Sequence, residues 1–172
     1  YTLQGNAQVF NSGSWNQYVN PDDLWSHYYS CIRRVNTYLE SSERFEVNLD
    51  AYKLDPSENA QEIYKTRLAD ITNWKKEARF LRAYYHFELI KRYGGIPIMT
   101  TALSLDTDFE KIQRNSLQEC VDFVVNECTV LGGEGPNGEE DALPIVYNND
   151  NLGRVTRGAA LALKSRLLLY AA

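Results

Sequence analysis

Metal and nucleophilic chemistry need His, Cys or opposed carboxylates at workable spacing, and this sequence is sparing with all three. Its two histidines, His27 and His86, fall in different helical patterns, and neither sits in an H-E-x-x-H or Cys-x-x-Cys arrangement. The three cysteines, Cys31, Cys120 and Cys128, are an odd number, so at least one has no partner within the chain. Cys120 and Cys128 share one helical pattern, where their separation rises about 12 Å, beyond the reach of a disulfide. All three read as small packing residues. Asp22, Asp23, Glu139, Glu140 and Asp141 lie at a helix start or in a loop, and nothing pairs them across a cleft as a glycoside hydrolase requires. The expectation is a protein with no catalysis, no metal and no cofactor.

Two local strings imitate ligand motifs and fail on context. Gly133-Glu134-Gly135-Pro136-Asn137-Gly138 matches G-x-G-x-x-G, but it follows a helical pattern instead of a strand and opens no helix. Pro136 removes a backbone donor there, and Glu134 puts negative charge where phosphate would sit. The run from Asn148 to Gly153 starts like a calcium loop, yet Leu152 occupies a ligand position and Ala159 the place of the bidentate glutamate. The 12 tyrosines and three tryptophans offer another chemistry: rings that cover apolar surface, a sugar face included, while a polar tip stays wet. Trp25, Trp74, Tyr84 and Tyr85 fall on helical stripes and are assigned to the core. Trp15 and Tyr18 lie instead in an irregular polar segment beside Asn11, Asn16 and Gln17. Trp15, Asn16 and Tyr18 are therefore the candidate ligand contacts, by ring stacking and amide hydrogen bonding.

The elements that must position these residues are helices. Residues 1–20 are rich in Asn, Gln, Ser and Gly and read as irregular. A first helix is expected from Pro21-Asp22-Asp23, where proline fits the first turn and the acids favour the positive end of the dipole. Its apolar positions are Leu24, Trp25, Tyr28, Tyr29, Ile32, Val35 and Leu39. After Asp55-Pro56-Ser57 a long helix is expected from about Asn59 to Tyr93, with one stripe through Ile71, Trp74, Ala78, Leu81, Tyr85 and Leu89. A second stripe through Phe80, Tyr84 and Phe87 implies packing on more than one side. Gly94-Gly95 ends that helix and Ile96-Pro97-Ile98 leaves it extended. Ser116 with Glu119 forms a capping box before Leu117, Val121, Val124, Val125, Cys128 and Leu131. Residues 132–153 form a polar surface loop. Thr156 then caps a fourth helix whose Gly158, Ala159, Ala160 and Ala162 allow close approach of a neighbour. The fold class is all-α, with antiparallel helix pairs, long loops and little strand; Ala83-x-x-x-Phe87 followed by Pro97 is similar to the second half of a tetratricopeptide unit.

With 172 residues, 44% of them hydrophobic and 24% charged, the chain supports one domain, 1–172, with a sizeable core. A formal net charge of −5 excludes the positive field that a nucleic-acid partner needs. The longest apolar run, Leu167 to Ala172, is too short to span a membrane. The sequence starts without Met and stops within a helical pattern, so a piece of a longer protein is expected.

The string Glu77-Ala78-Arg79-Phe80-Leu81-Arg82-Ala83-Tyr84-Tyr85-His86-Phe87, continuing through Leu89 to Gly94-Gly95-Ile96-Pro97, resembles the signature of the SusD/RagB family. Three further stretches resemble that family in the same order: Trp25, Tyr29, Ile32 and Asn36 on the first helix; Arg114-Asn115-Ser116; and Gly153-Arg154-Val155-Thr156-Arg157-Gly158-Ala159-Ala160. Together they cover residues 22–172. The resemblance implies a tetratricopeptide-like scaffold belonging to a lipoprotein of the bacterial outer membrane, exposed at the cell surface, with its lipid anchor outside this piece. It also implies a SusC-like TonB-dependent transporter as partner and an oligosaccharide, or in some members a peptide, as ligand. In such a protein the segment before the first helix contributes to the ligand pocket. The alternative reading is a helical-repeat scaffold that binds only protein.

Overall fold

The computed structural model describes residues 11–13, 16, 20, 22–104 and 106–172. These residues form helices α1 (Trp25–Ser41), α2 (Glu43–Val47), α3 (Asp50–Leu54), α4 (Glu58–Tyr93), α5 (Leu117–Leu131) and α6 (Arg157–Ala171). Short 3-10 turns span Phe109–Lys111, Gly138–Glu140 and Asn149–Asn151, and no β-strand occurs among the described residues. The architecture is the all-α helical repeat expected from the sequence.

Helix α4 is the spine, 36 residues long and so about 54 Å from end to end. Ser57 caps it, its hydroxyl accepting from the Ala60 amide at 3.4 Å. The Gln61 side chain donates to the carbonyls of Tyr52, Lys53 and Asp55. Those bonds seal the end of α3 onto the first turn of α4. At the other end Gly94 takes φ 68 and donates to the Ile90 carbonyl, a conformation that glycine adopts without strain. A Cβ on Gly95 would lie 2.3 Å from the Asn115 carbonyl oxygen, so only glycine lets the segment before α5 cross there.

Helix α4 packs on α1 and α5, and α6 packs on α5. The pairs are antiparallel. The start of α1 meets the end of α4 through Leu24 N–H and the Tyr93 hydroxyl, while the start of α5 meets the residues following α4 through Cys120 and Ile96. Ile32, Ala83, Phe87, Leu89, Ile90, Cys120, Val124 and Leu167 fill the main core, and Leu131, Leu143 and Ala160 form a smaller one. Leu143 belongs to the segment between α5 and α6, which it anchors by donating a backbone hydrogen bond to the Leu131 carbonyl at 2.9 Å.

Several expectations are corrected. Helix α1 begins at Trp25 rather than at Pro21-Asp22-Asp23. Asn20 Oδ1 takes the Asp22 amide, Asp23 Oδ1 takes the Trp25 amide, and Tyr93 takes the Leu24 amide, so the first donors are spent on side chains before the helix opens. Trp74 and Leu81 do not join the core stripe: they remain 38% and 36% exposed. The enclosed part of α4 is its C-terminal half, where α1, α5 and the chain after Gly95 surround it. Thr156 stands at the N-cap of α6 but its side chain makes no capping bond. The region between α1 and α4 carries two short helices, α2 and α3, that apolar periodicity alone did not mark out.

Candidate functional site

The Met99–Ser104 stretch pairs with no strand among the described residues; from Met99 to Ala102 side chains from α1 and α4 hold its backbone. Asn36, fully buried, donates from Nδ2 to the carbonyls of Met99 at 3.1 Å and Thr101 at 3.0 Å. Arg82 donates from Nη1 to Asn36 Oδ1 and to the Thr100 carbonyl, both at 3.1 Å. The Met99 amide donates to His86 Nε2 at 3.2 Å, while His86 Nδ1 donates to the Arg82 carbonyl at 2.8 Å. Glu40 Oε1 accepts from the Ala102 amide at 2.7 Å. Just upstream, Tyr29 donates its hydroxyl to the Pro97 carbonyl at 2.8 Å and Asn115 Oδ1 accepts from the Ile98 amide at 3.0 Å.

The electrostatics suit a fixed wall. With Nδ1 donating and Nε2 accepting, His86 is the neutral Nδ1–H tautomer, and burial pushes its pKa down to about 4. Burial likewise raises the Tyr29 phenol, which stays a protonated donor. Arg79 and Arg82 both reach Glu127 on α5, Arg79 through Nε and Nη2 at 3.1 Å each and Arg82 through Nη2 at 3.6 Å. The two arginines, three residues apart on one face of α4, thus share one acid.

Between this wall and α1 lies a cleft of about 460 Å³. Its apolar surface comes from Trp25, Tyr29, Ile32, Met99 and Leu103, and its polar rim from Ser26, Ser30, Arg33, Thr101 and Ser104. Trp25 is steadied edge-on by Tyr93 at 5.1 Å and by the Arg114 guanidinium over its ring at 5.5 Å. A half-open cleft lined by aromatic side chains and hydroxyls can bind a polar, ring-containing ligand; among the described lining residues no nucleophile stands beside a base. A second groove of about 360 Å³ runs between α1 and α4 past Arg34, Tyr38, Trp74, Glu77 and Leu81.

Trp15 and Tyr18 lie outside the described residues; Asn16 is described and exposed. Cleft residues Ser26, Ser30 and Arg33 were missed, because their types are unremarkable on a helix; their spacing of four and three residues, which sets them on one face, was the available signal. The carboxylates doubted as a catalytic pair are engaged separately: Asp22 with Arg92 at 2.7 Å, Asp23 with the Tyr93 hydroxyl at 2.7 Å, and Glu139 with Arg157. Among the described residues no group of His, Cys, Asp and Glu converges as a metal site, and all three cysteines are unpaired, Cys120 and Cys128 being buried. No helix among the described residues is long and apolar enough to cross a membrane.

A family model described as starch-binding associating with outer membrane matches residues 2–169. A solved SusD-like protein from Bacteroides fragilis superposes with a TM-score of 0.69 at 28% identity, covering 96% of this chain and 29% of that one. A laminarin binding SusD-like protein superposes at 0.65 with 21% identity over 99% of this chain and 31% of that one. The surface glycan-binding protein A from Bacteroides uniformis does so at 0.67 with 20% identity over 97% and 31%. At such identities the last two show the fold alone. The chain spans less than a third of the length of each of these proteins. No curated protein matches it.

Proposed function

This chain belongs to the SusD-like family, and from that premise we propose that it is the helical portion of a cell-surface protein that binds a nutrient glycan and delivers it to a SusC-like TonB-dependent transporter. It performs no bond chemistry. Residues 1–172 act as one helical domain of a longer protein, held at the outer membrane by a lipid anchor elsewhere in that protein. The observation that carries the reading is the family match along residues 2–169, whose description joins starch binding to the outer membrane. The names of two fold relatives, one laminarin binding and one glycan-binding, support the same ligand class. The cleft beside α1 adds a physical reason: aromatic side chains and hydroxyls line it, and a sugar is held by apolar contact and hydrogen bonds. Trp15, Asn16 and Tyr18, just before α1, extend the ligand surface in this proposal.

The test is to isolate the native protein from cell envelopes solubilised in mild detergent and identify what co-purifies by mass spectrometry. A large TonB-dependent barrel at near-equal stoichiometry, with these residues inside a longer lipidated protein, is the expected result. Recovery in the soluble fraction without a barrel would sink the uptake role.

A further inference from the structure

The cleft between α1 and Met99–Ser104 has a charge pattern of its own. Arg33 is the one charged residue among the described lining residues, none of which is a carboxylate, although the chain as a whole carries a net charge of −5. The Arg33 side chain is exposed, and none of the ion pairs among the described residues involves it. Arg79, Arg82, Arg92, Arg154 and Arg157 are each committed to a carboxylate; of the other arginines among the described residues, Arg33 is the one that lines this cleft. The acid further along the Arg33 face of α1, Glu40, is turned onto the Ala102 amide. Ser26, Ser30 and Arg33 form a polar ladder on one face of α1 and line the cleft with Thr101, Ser104, Trp25 and Tyr29.

The same wall argues against a peptide bound as an added strand. Such a peptide needs free backbone donors and acceptors along an edge. Here the Met99 amide and the carbonyls of Met99, Thr100 and Thr101 are taken by His86, Asn36 and Arg82, and the Ala102 amide by Glu40. Among the described residues the cleft still offers aromatic side chains, side-chain hydroxyls and the Arg33 guanidinium, which makes no ion pair there.

We propose that this cleft binds an acidic glycan, a sugar chain bearing uronic-acid carboxylates, with Arg33 as the carboxylate contact. The proposal rests on the glycan-binding reading above and narrows its ligand class. The planar guanidinium matches a carboxylate in two parallel hydrogen bonds, while Trp25 and Tyr29 face the sugar ring and the serines and threonine meet its hydroxyls.

The experiment is isothermal titration of the complete protein with a panel of oligouronates, the same oligosaccharides as neutral methyl esters, neutral glucans, and acidic peptides. Free oligouronate is expected to bind about tenfold or more tightly than its ester, the order of one charge-assisted contact, and to weaken with added salt while the ester does not. Arg33→Gln should erase the difference between acid and ester without moving the melting temperature, and Arg33→Lys should restore part of it. Ser30→Trp, which fills the cleft from an exposed helix position, should weaken acid and ester alike. Equal affinity for acid and ester, or an Arg33→Gln variant that binds oligouronate unchanged, overturns this proposal while leaving the glycan-binding reading standing. Binding of acidic peptides with no sugar bound, or no binding of any sugar, overturns the glycan reading and this proposal with it.

Discussion

His86 has both ring nitrogens committed, one donating to the Arg82 carbonyl and one accepting from Met99, so a second ring proton would point at an N–H. Its pKa falls from 6.5 to about 4 on folding. Between those values the unfolded chain binds a proton that the folded chain refuses. The contribution is fully present above pH 6.5 and is lost as pH falls towards 4, on the order of 3 kcal/mol in all. Melting temperatures taken from pH 4 to 7 should therefore fall more steeply on acidification for the native sequence than for His86→Gln; parallel curves would refute this. Asn36 is a sharper case, since Asn36→Leu removes a buried amide that serves the Met99 and Thr101 carbonyls and Arg82 at once. Urea denaturation should show a loss of about 1–3 kcal/mol, the usual cost of breaking a hydrogen-bond network at a buried side chain. Neither role was legible in the sequence. An Asn or His inside a helical pattern looks the same whether its partner is water or a wall contributed by residues more than a dozen positions away.

At the scale of elements, what the sequence announced were features written within a few residues. The capping box is one: the Ser116 hydroxyl accepts from the Glu119 amide at 3.2 Å and Glu119 Oε2 accepts from the Ser116 amide at 2.7 Å. Ser116→Ala should cost about 1 kcal/mol in chemical denaturation. The Gly94-Gly95 stop and the span of α4 were legible for the same reason. Trp74 and Leu81 were not, because periodicity says which residues share a face and not where along a long helix the neighbours end. Helix α4 accordingly has two regimes. From Glu58 to Asp70 only Ala60 is buried, whereas Ala83 and the whole of His86–Ile90 are buried. Hydrogen exchange should protect Ala83–Ile90 far more strongly than Gln61–Asp70. Uniform protection along α4 would contradict this division.

For the molecule as a whole, each helix has at least one packed neighbour, but the outward side of α6 is apolar and open. Leu168 and Leu169 line a groove there with Lys164 and Glu134, and Leu169 is 79% exposed. Contiguous apolar surface of this kind favours association. Residues 1–172 expressed alone should self-associate in sedimentation experiments, and Leu168→Lys combined with Leu169→Lys should shift them towards monomer. The wall of the cleft has a consequence for how the protein matures. It has no backbone ladder of its own and exists only once Asn36, Glu40, Arg82 and His86 have been brought together from two helices. A chain still emerging from the ribosome, with α1 made and α4 unfinished, has no site to offer. If the cleft binds its ligand as proposed, affinity would signal completed folding, and a bound ligand would steady the joined helices as one unit.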